Sequence, residues 1–155
     1  MKRLALSLGA AAVGAALVYS FRRRHTDSED VVRAYFDAWS DGDVDSIRDL
    51  ISDDFQAHVR ALDGTEERDA DELLSAVSNH AEAFSEVEYE LHDVLSHNGC
   101  VAVRATMSAR HEESGREGEM EGIAMLRLDG GRIAEEWSSW DYLGLANQLG
   151  LANGK

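Results

Sequence analysis

The side chains that could move a proton or hold a metal stand in few organised patterns. Six histidines occur, His25, His58, His80, His92, His97 and His111, and no two have His-x-x-x-His or His-x-His spacing, so a zinc site would need ligands gathered from separate elements. No Gly-x-Ser-x-Gly turn, phosphate loop or dinucleotide fingerprint is present. Asp41, Asp43 and Asp45 imitate the first ligands of a calcium loop. The position that needs a turn glycine is Ser46, however, and the one that needs a bidentate glutamate is Ser52, so helix capping accounts for these acids. Near the carboxy-terminus, Glu136 precedes Ser138 by two residues in a stretch of strand character, which puts both on one face. Apolar surroundings there would lift the Glu136 carboxyl toward the range of a working base. Asp141 falls on the opposite face, or caps a tail helix through Leu143 and Gly144.

The elements that position these residues follow from periodicity. Thr26-Asp27-Ser28-Glu29 has capping-box spacing, and Val31, Val32, Tyr35, Phe36 and Trp39 continue at helical spacing as far as Asp41-Gly42. Asp43 caps a shorter helix carrying Val44, Ile47, Leu50 and Ile51. Phe55 to Leu62 reads as a short extended piece closed by Asp63-Gly64, and Asp71 to Phe84 as a third helix with Leu73, Leu74, Val77, Ala81 and Phe84 on one face. From residue 87 the period falls to two. Strands around Val87 to Val94, Val101 to Ala109, Met120 to Leu128 and Ile133 to Trp140 are separated by turns at His97-Asn98-Gly99, at Gly115 to Gly118 and at Asp129-Gly130-Gly131. A tail helix, Tyr142 to Leu149, closes the domain. Helices followed by an antiparallel meander, without a βαβ crossover, predict an α+β domain whose helices pack on a curved antiparallel sheet to form a cone. Tyr35, Trp39, Phe84, Trp137 and Trp140 are core aromatics by default, and in a cone some of them also wall an apolar pocket suited to a flat hydrophobic ligand.

At 155 residues with 44% hydrophobic content, the chain is one domain with a real core. The net charge is −15, from 15 basic and 30 acidic side chains, and it is unevenly placed. Lys2, Arg3, Arg22, Arg23 and Arg24 precede residue 26 with no acid among them, so residues 26–155 carry −20. A nucleic-acid backbone is repelled by such a domain, which excludes it as a partner. The acids are spread along the domain and the only lysines are Lys2 and Lys155, a composition like that of proteins from extreme halophiles. Leu4 to Phe21 is an uncharged, mostly apolar run, long enough to span about 30 Å of hydrocarbon. Three arginines stand where a signal-peptide cleavage site would be, so the expectation is a retained single-pass anchor in the cell membrane, with the domain on the cytoplasmic side. The expected organisation is therefore an anchor at 1–25, a domain at 26–151 and a tail at 152–155. Cys100 has no partner for an intramolecular disulfide and reads as a small core residue.

From Gly131-Arg132-Ile133-Ala134-Glu135-Glu136-Trp137-Ser138-Ser139-Trp140-Asp141-Tyr142-Leu143-Gly144-Leu145 through Gln148-Leu149-Gly150, the sequence resembles the carboxy-terminal signature of SnoaL-like proteins. These belong to the nuclear-transport-factor-2-like superfamily, with ketosteroid isomerases and limonene epoxide hydrolases. The helix Tyr35-Phe36-Asp37-Ala38-Trp39, the stretch Asp54-Phe55-Gln56-Ala57-His58, Val103-Arg104 and the Asp129 to Ile133 turn fall in the same order, so the likeness runs over about 28–151. The resemblance implies the same α+β cone, commonly a homodimer through the outer face of the sheet, and no cofactor. In the family's polyketide cyclases an aspartate directly after the position of Trp137 is general acid/base for an intramolecular aldol closure, assisted by a histidine on the neighbouring strand. Here those positions are Ser138 and Ala124, neither of which can make that transfer. Relatives often carry histidines at the positions of His58 and His111, which would place both at the cavity mouth; His80 matches nothing and reads as a helix-face residue. The expected function is binding of a small apolar or polycyclic molecule, walled by Tyr35, Trp39, Trp137, Ser138 and Trp140. Glu136, Asp141, His58 and His111 are the candidates for cofactor-free, metal-free cyclisation or isomerisation. The alternative is a non-catalytic ligand-binding or protein-interaction module of the same fold.

Overall fold

The structure is a computed structural model that describes residues 28–151. The first helix, α1, runs over residues 28–41, and Val32, Tyr35, Phe36 and Ala38 form its buried face. Gly42 ends it with a left-handed φ of 65°, a conformation that costs glycine nothing. Thr26 and Asp27 of the expected capping box lie outside the described residues, as does the apolar run Leu4 to Phe21. Among the described residues no helix is long and apolar enough to cross a membrane.

Asp43 caps helix α2 (Val44–Leu50) by accepting from the Ser46 backbone N–H at 3.0 Å and from its hydroxyl at 2.6 Å. Strand β1 (Ile51–Ala61) follows directly, so Ile51 both caps α2, its N–H donating to the Ile47 carbonyl, and opens the strand. A tight turn leads to β2 (Gly64–Asp69), an edge strand that periodicity does not reveal. Its Gly-Thr-Glu-Glu-Arg-Asp sequence is mostly exposed and has no apolar alternation to read. Asp69 then makes a full capping box with Glu72 at the start of α3 (Ala70–Ala83). Strands β3 (Phe84–His97), β4 (Cys100–His111), β5 (Glu117–Asp129) and β6 (Arg132–Trp140) form the expected meander, and α4 (Tyr142–Leu149) closes it.

The sheet has six strands in the order β2-β1-β6-β5-β4-β3. It is mixed and not purely antiparallel, because β1 lies parallel to β6. Strand β2, helix α3 and strands β3, β4 and β5 intervene between the two, a connection long enough to bring the chain back in the same direction. Meander patterning reports only sequence neighbours and is blind to this pairing.

With no proline in the chain, bends come from glycines and from register shifts. Two shifts interrupt the β3-β4 ladder, between Ser85 and Glu88 and between Leu91 and Asp93. Asn98-Gly99 and Gly130-Gly131 have positive φ at both central positions, the geometry that two-residue hairpins prefer. The main core joins Tyr35, Phe36, Leu73 and Val77 of the helices to Ala57, Val103 and Leu126 on the inner face of the sheet. A smaller cluster places Leu145 and Leu149 of α4 over Met107 and Met120. Cys100, expected in the core, opens β4 half-buried, because it directly follows the Asn98-Gly99 turn.

Gly122 pairs across the ladder with Trp140, and a Cβ there would overlap the indole ring. The ring therefore lies flat over bare backbone, which holds it against the inner face. Gly122→Ala is expected to lower the unfolding free energy by about 1–3 kcal/mol through overpacking, read from the urea midpoint. An unchanged midpoint would show that the ring is not held there.

Candidate functional site

Strand β6 presents Glu136, Ser138 and Trp140 on one face, and burial alternates accordingly: Glu136 and Ser138 are buried, Ser139 is exposed. That face, with α1, α3 and the β1-β2 hairpin, encloses a cavity of about 800 Å³. Tyr35 and Trp39 of α1, together with Phe36, Leu73, Tyr89, Trp140 and Tyr142, make its walls largely aromatic and aliphatic.

Within these walls the Tyr35 hydroxyl donates to Oε2 of Glu136 at 2.7 Å, across 101 residues of sequence. Burial raises the pKa of Glu136 above the ordinary carboxylate value, while the hydrogen bonds from Tyr35 and Ser138 and the more distant charge of Arg68 pull it partly back. The Tyr35 phenol is raised well above its usual value, first by burial and then by the Glu136 charge, so it remains a protonated donor. The result is a carboxyl that can take up and return a proton inside an apolar cavity, with a fixed phenol beside it.

The structure thus brings together Glu136, Ser138, Tyr35, Trp39 and Trp140. It leaves four expected residues outside. Trp137 directly follows Glu136 and must face the other way, where its ring stacks on His58 with centroids 5.3 Å apart and planes 16° from parallel. His58 is paired with Glu67 through Nδ1 and with Glu135 through Nε2 at 3.1 Å, and the hydrogen bond with Glu67 leads in raising its pKa. It belongs to the outer face and not to the cavity mouth. His111 ends β4 with Nδ1 on the Ser114 hydroxyl at 3.0 Å, held in the turn that leads to β5 and absent from the cavity wall. Asp141 is exposed and accepts from the Gly144 N–H at 2.8 Å, the helix-capping alternative of its two readings. Ser138 and Ala124 face each other directly across β5 and β6. The two positions at which the resemblance implied an acid and a histidine are therefore cross-strand partners in this chain.

Among the cavity residues that the sequence reading did not place there, His80 and Arg68 carry the most chemistry. His80 lines the wall, with its ring centroid 5.6 Å from that of Trp39 and 5.0 Å from that of Phe84. Among the described residues its buried Nε2 has no hydrogen-bond partner, and burial lowers its pKa, which favours the neutral ring. The signal was available in the spacing Leu73, Val77, His80, Phe84, which places the imidazole on the apolar stripe of α3. Arg68, on the unexpected strand β2, also borders the cavity. Among the described residues no group of three or more His, Cys, Asp or Glu side chains could hold a metal ion.

Because Glu136 binds its proton more tightly folded than unfolded, its contribution to stability is complete below the ordinary glutamate pKa of 4.5 and is lost as pH rises through the elevated folded value. The unfolding free energy of Glu136→Gln minus that of the wild type is therefore expected to grow across that window, by at most about 1.4 kcal/mol per pH unit, and then to level off. A difference that stays flat from pH 4 to pH 8 would contradict the raised pKa.

A family model described as SnoaL-like polyketide cyclase matches residues 29–149. None of the curated proteins matches the chain. Among solved structures, IdmH from Streptomyces antibioticus, a candidate polyketide cyclase, is 24% identical with a TM-score of 0.71, covering 79% of this chain and 98% of its own. TsrD from Streptomyces laurentii is 21% identical with a TM-score of 0.71, covering 81% of this chain and 96% of its own. An LEH-like epoxide hydrolase from M. tuberculosis is 15% identical with a TM-score of 0.68, covering 81% and 91%. At these identities the structural likeness is one of fold, the nuclear-transport-factor-2-like cone. The family match covers nearly all of the described residues, and the chain belongs to the SnoaL-like polyketide cyclase family.

Proposed function

We propose that the cone binds a small apolar or polycyclic molecule and that Glu136 acts on it as a cofactor-free general base and acid. The observation that carries this reading is the buried Glu136 carboxyl, hydrogen-bonded to Tyr35 and opening on an aromatic cavity of about 800 Å³. A carboxylate placed there can accept a proton from a carbon next to a ketone while the C–H electron pair moves onto the carbonyl oxygen as an enolate. Returning the proton at another carbon is isomerisation; attack of the enolate carbon on a second carbonyl, whose oxygen takes up that carbonyl's π pair and then the proton from Glu136, is aldol ring closure. A second reading, a binding module without turnover, is favoured by Ser138 and Ala124, which cannot supply the acid and histidine that the family's cyclases use.

Exchange of the α-protons of 2-tetralone in D2O, followed by NMR in molar KCl, separates the two. Enolisation catalysed by the wild type and reduced about 100-fold in Glu136→Gln is the expected result. Exchange no faster than in buffer, with N-phenyl-1-naphthylamine still bound in the cavity, would establish the binding module instead.

The outer face of the sheet supports homodimerisation. Ile123 and Met125 of β5 are 60% and 43% exposed, and Met125 is the cross-strand partner of Trp137. Ile123→Glu is expected to turn a dimer into a monomer in analytical ultracentrifugation without lowering the melting temperature. A wild-type chain that sediments as a monomer would contradict it. The basic-flanked run Leu4 to Phe21 supports a tether at the cytoplasmic face of the membrane.

A further inference from the structure

We propose that Arg68 makes the cavity selective for ligands with a carboxylate at one end of an apolar ring system; this deepens the cavity-binding reading and rests on it. The placement follows from two strand registers. Glu136 is the partner of Ala57 across β6 and β1, and Ala57 is the partner of Arg68 across β1 and β2. The three residues occupy one rung of the sheet on its inner side. At about 4.8 Å per strand, the Arg68 and Glu136 backbones are roughly 10 Å apart. Ala57 between them is fully buried and contributes only a methyl group, so it leaves a lane from the edge strand to the buried carboxyl.

Arg68 is the only lysine or arginine among the described residues that line the cavity. Its side chain is 26% exposed, which places it at the rim, and its charge already acts on Glu136 and on Tyr142. One hydrogen bond occupies the guanidinium, from Nη2 to Glu66 at 2.7 Å. Glu66 is half-exposed, so this pair is weak and exchangeable. The fork carries five N–H donors, and Nε and Nη1 have no acceptor among the described residues, which leaves the planar geometry that matches a carboxylate. A neutral apolar ligand gains nothing from this group. In a domain at −20, whose cavity lining also carries Asp63, Glu66 and Glu136, Arg68 is the one group among the described lining residues that attracts an anionic ligand, so selectivity for a carboxylate depends on it.

The test uses the full chain in molar KCl with N-phenyl-1-naphthylamine as a neutral fluorescent reporter, displaced by 2-naphthoate or by its methyl ester, which share a ring framework. Arg68→Gln is expected to weaken 2-naphthoate by about tenfold or more while leaving the methyl ester and the reporter within about twofold. Glu66→Gln, which frees the guanidinium, is expected to tighten 2-naphthoate alone. Equal effects on acid and ester, or none on the acid, would overturn the proposal. Failure of the reporter to bind the wild type would strike at the cavity reading itself, and circular dichroism confirms that each variant is folded.

Discussion

A single buried hydrogen bond, from the Tyr35 hydroxyl to the Glu136 carboxyl, ties the fold to its chemistry. An ionised carboxylate among aromatic walls is costly to bury, and leaving it without donors would cost several kcal/mol more. The donor comes from α1, near the start of the described chain, and the acceptor from the last strand. Helix α1 must therefore pack on the inner face of the sheet in one register. Phe36 and Ala38, buried on the same helix face, fasten that register, and Trp140, held flat over Gly122, supports Phe36 from the sheet side with ring centroids 6.3 Å apart. The hydrogen bonds of Tyr35 and Ser138 moderate the rise in the Glu136 pKa without cancelling it, because burial is the larger influence.

Strand alternation divides β6 into two surfaces with different uses. Glu136, Ser138 and Trp140 face the cavity. Glu135 and Trp137 face outward, where Glu135 meets His58 and Arg127 and Trp137 stacks on His58. Acids in neighbouring positions thus acquire opposite character. For Glu135, partial burial is outweighed by hydrogen bonds with His58 and Arg127, which lower its pKa, whereas burial raises that of Glu136. The same alternation on β2 turns Arg68 inward and Glu67 outward to His58.

Much of this was legible in the sequence because the signals are local. The Asn98-Gly99 and Gly130-Gly131 turns, the Asp141 cap and the tail helix each depend on residues a few positions apart, and the structure reproduces them. Placing Glu136 with Ser138 required only the two-residue period of a strand. The misses have physical causes of a different kind. Strand β2 is charged and sits at the sheet edge, so it has no buried face to betray it, and Arg68 was lost with it. The parallel β1-β6 pairing joins segments about 80 residues apart, and that pairing sets His58 beside Trp137 on the outer face. Trp137 was misplaced for a simpler reason: its aromatic character outweighed its parity with Glu136. His80 fits the apolar stripe of its helix, but an imidazole with an unpartnered buried nitrogen cannot be foreseen from spacing.

The central claim is that Glu136 stays protonated above the ordinary carboxylate range because the cone buries it. Carbon-13 NMR of the chain labelled at glutamate Cδ, titrated with pH and assigned by loss of one resonance in Glu136→Gln, reads this directly. The account predicts a Glu136 midpoint above the ordinary value of 4.5, moving higher still in Tyr35→Phe, where a hydrogen bond that favours the charged form is gone. A midpoint at or below 4.5, unmoved by Tyr35→Phe, would contradict it.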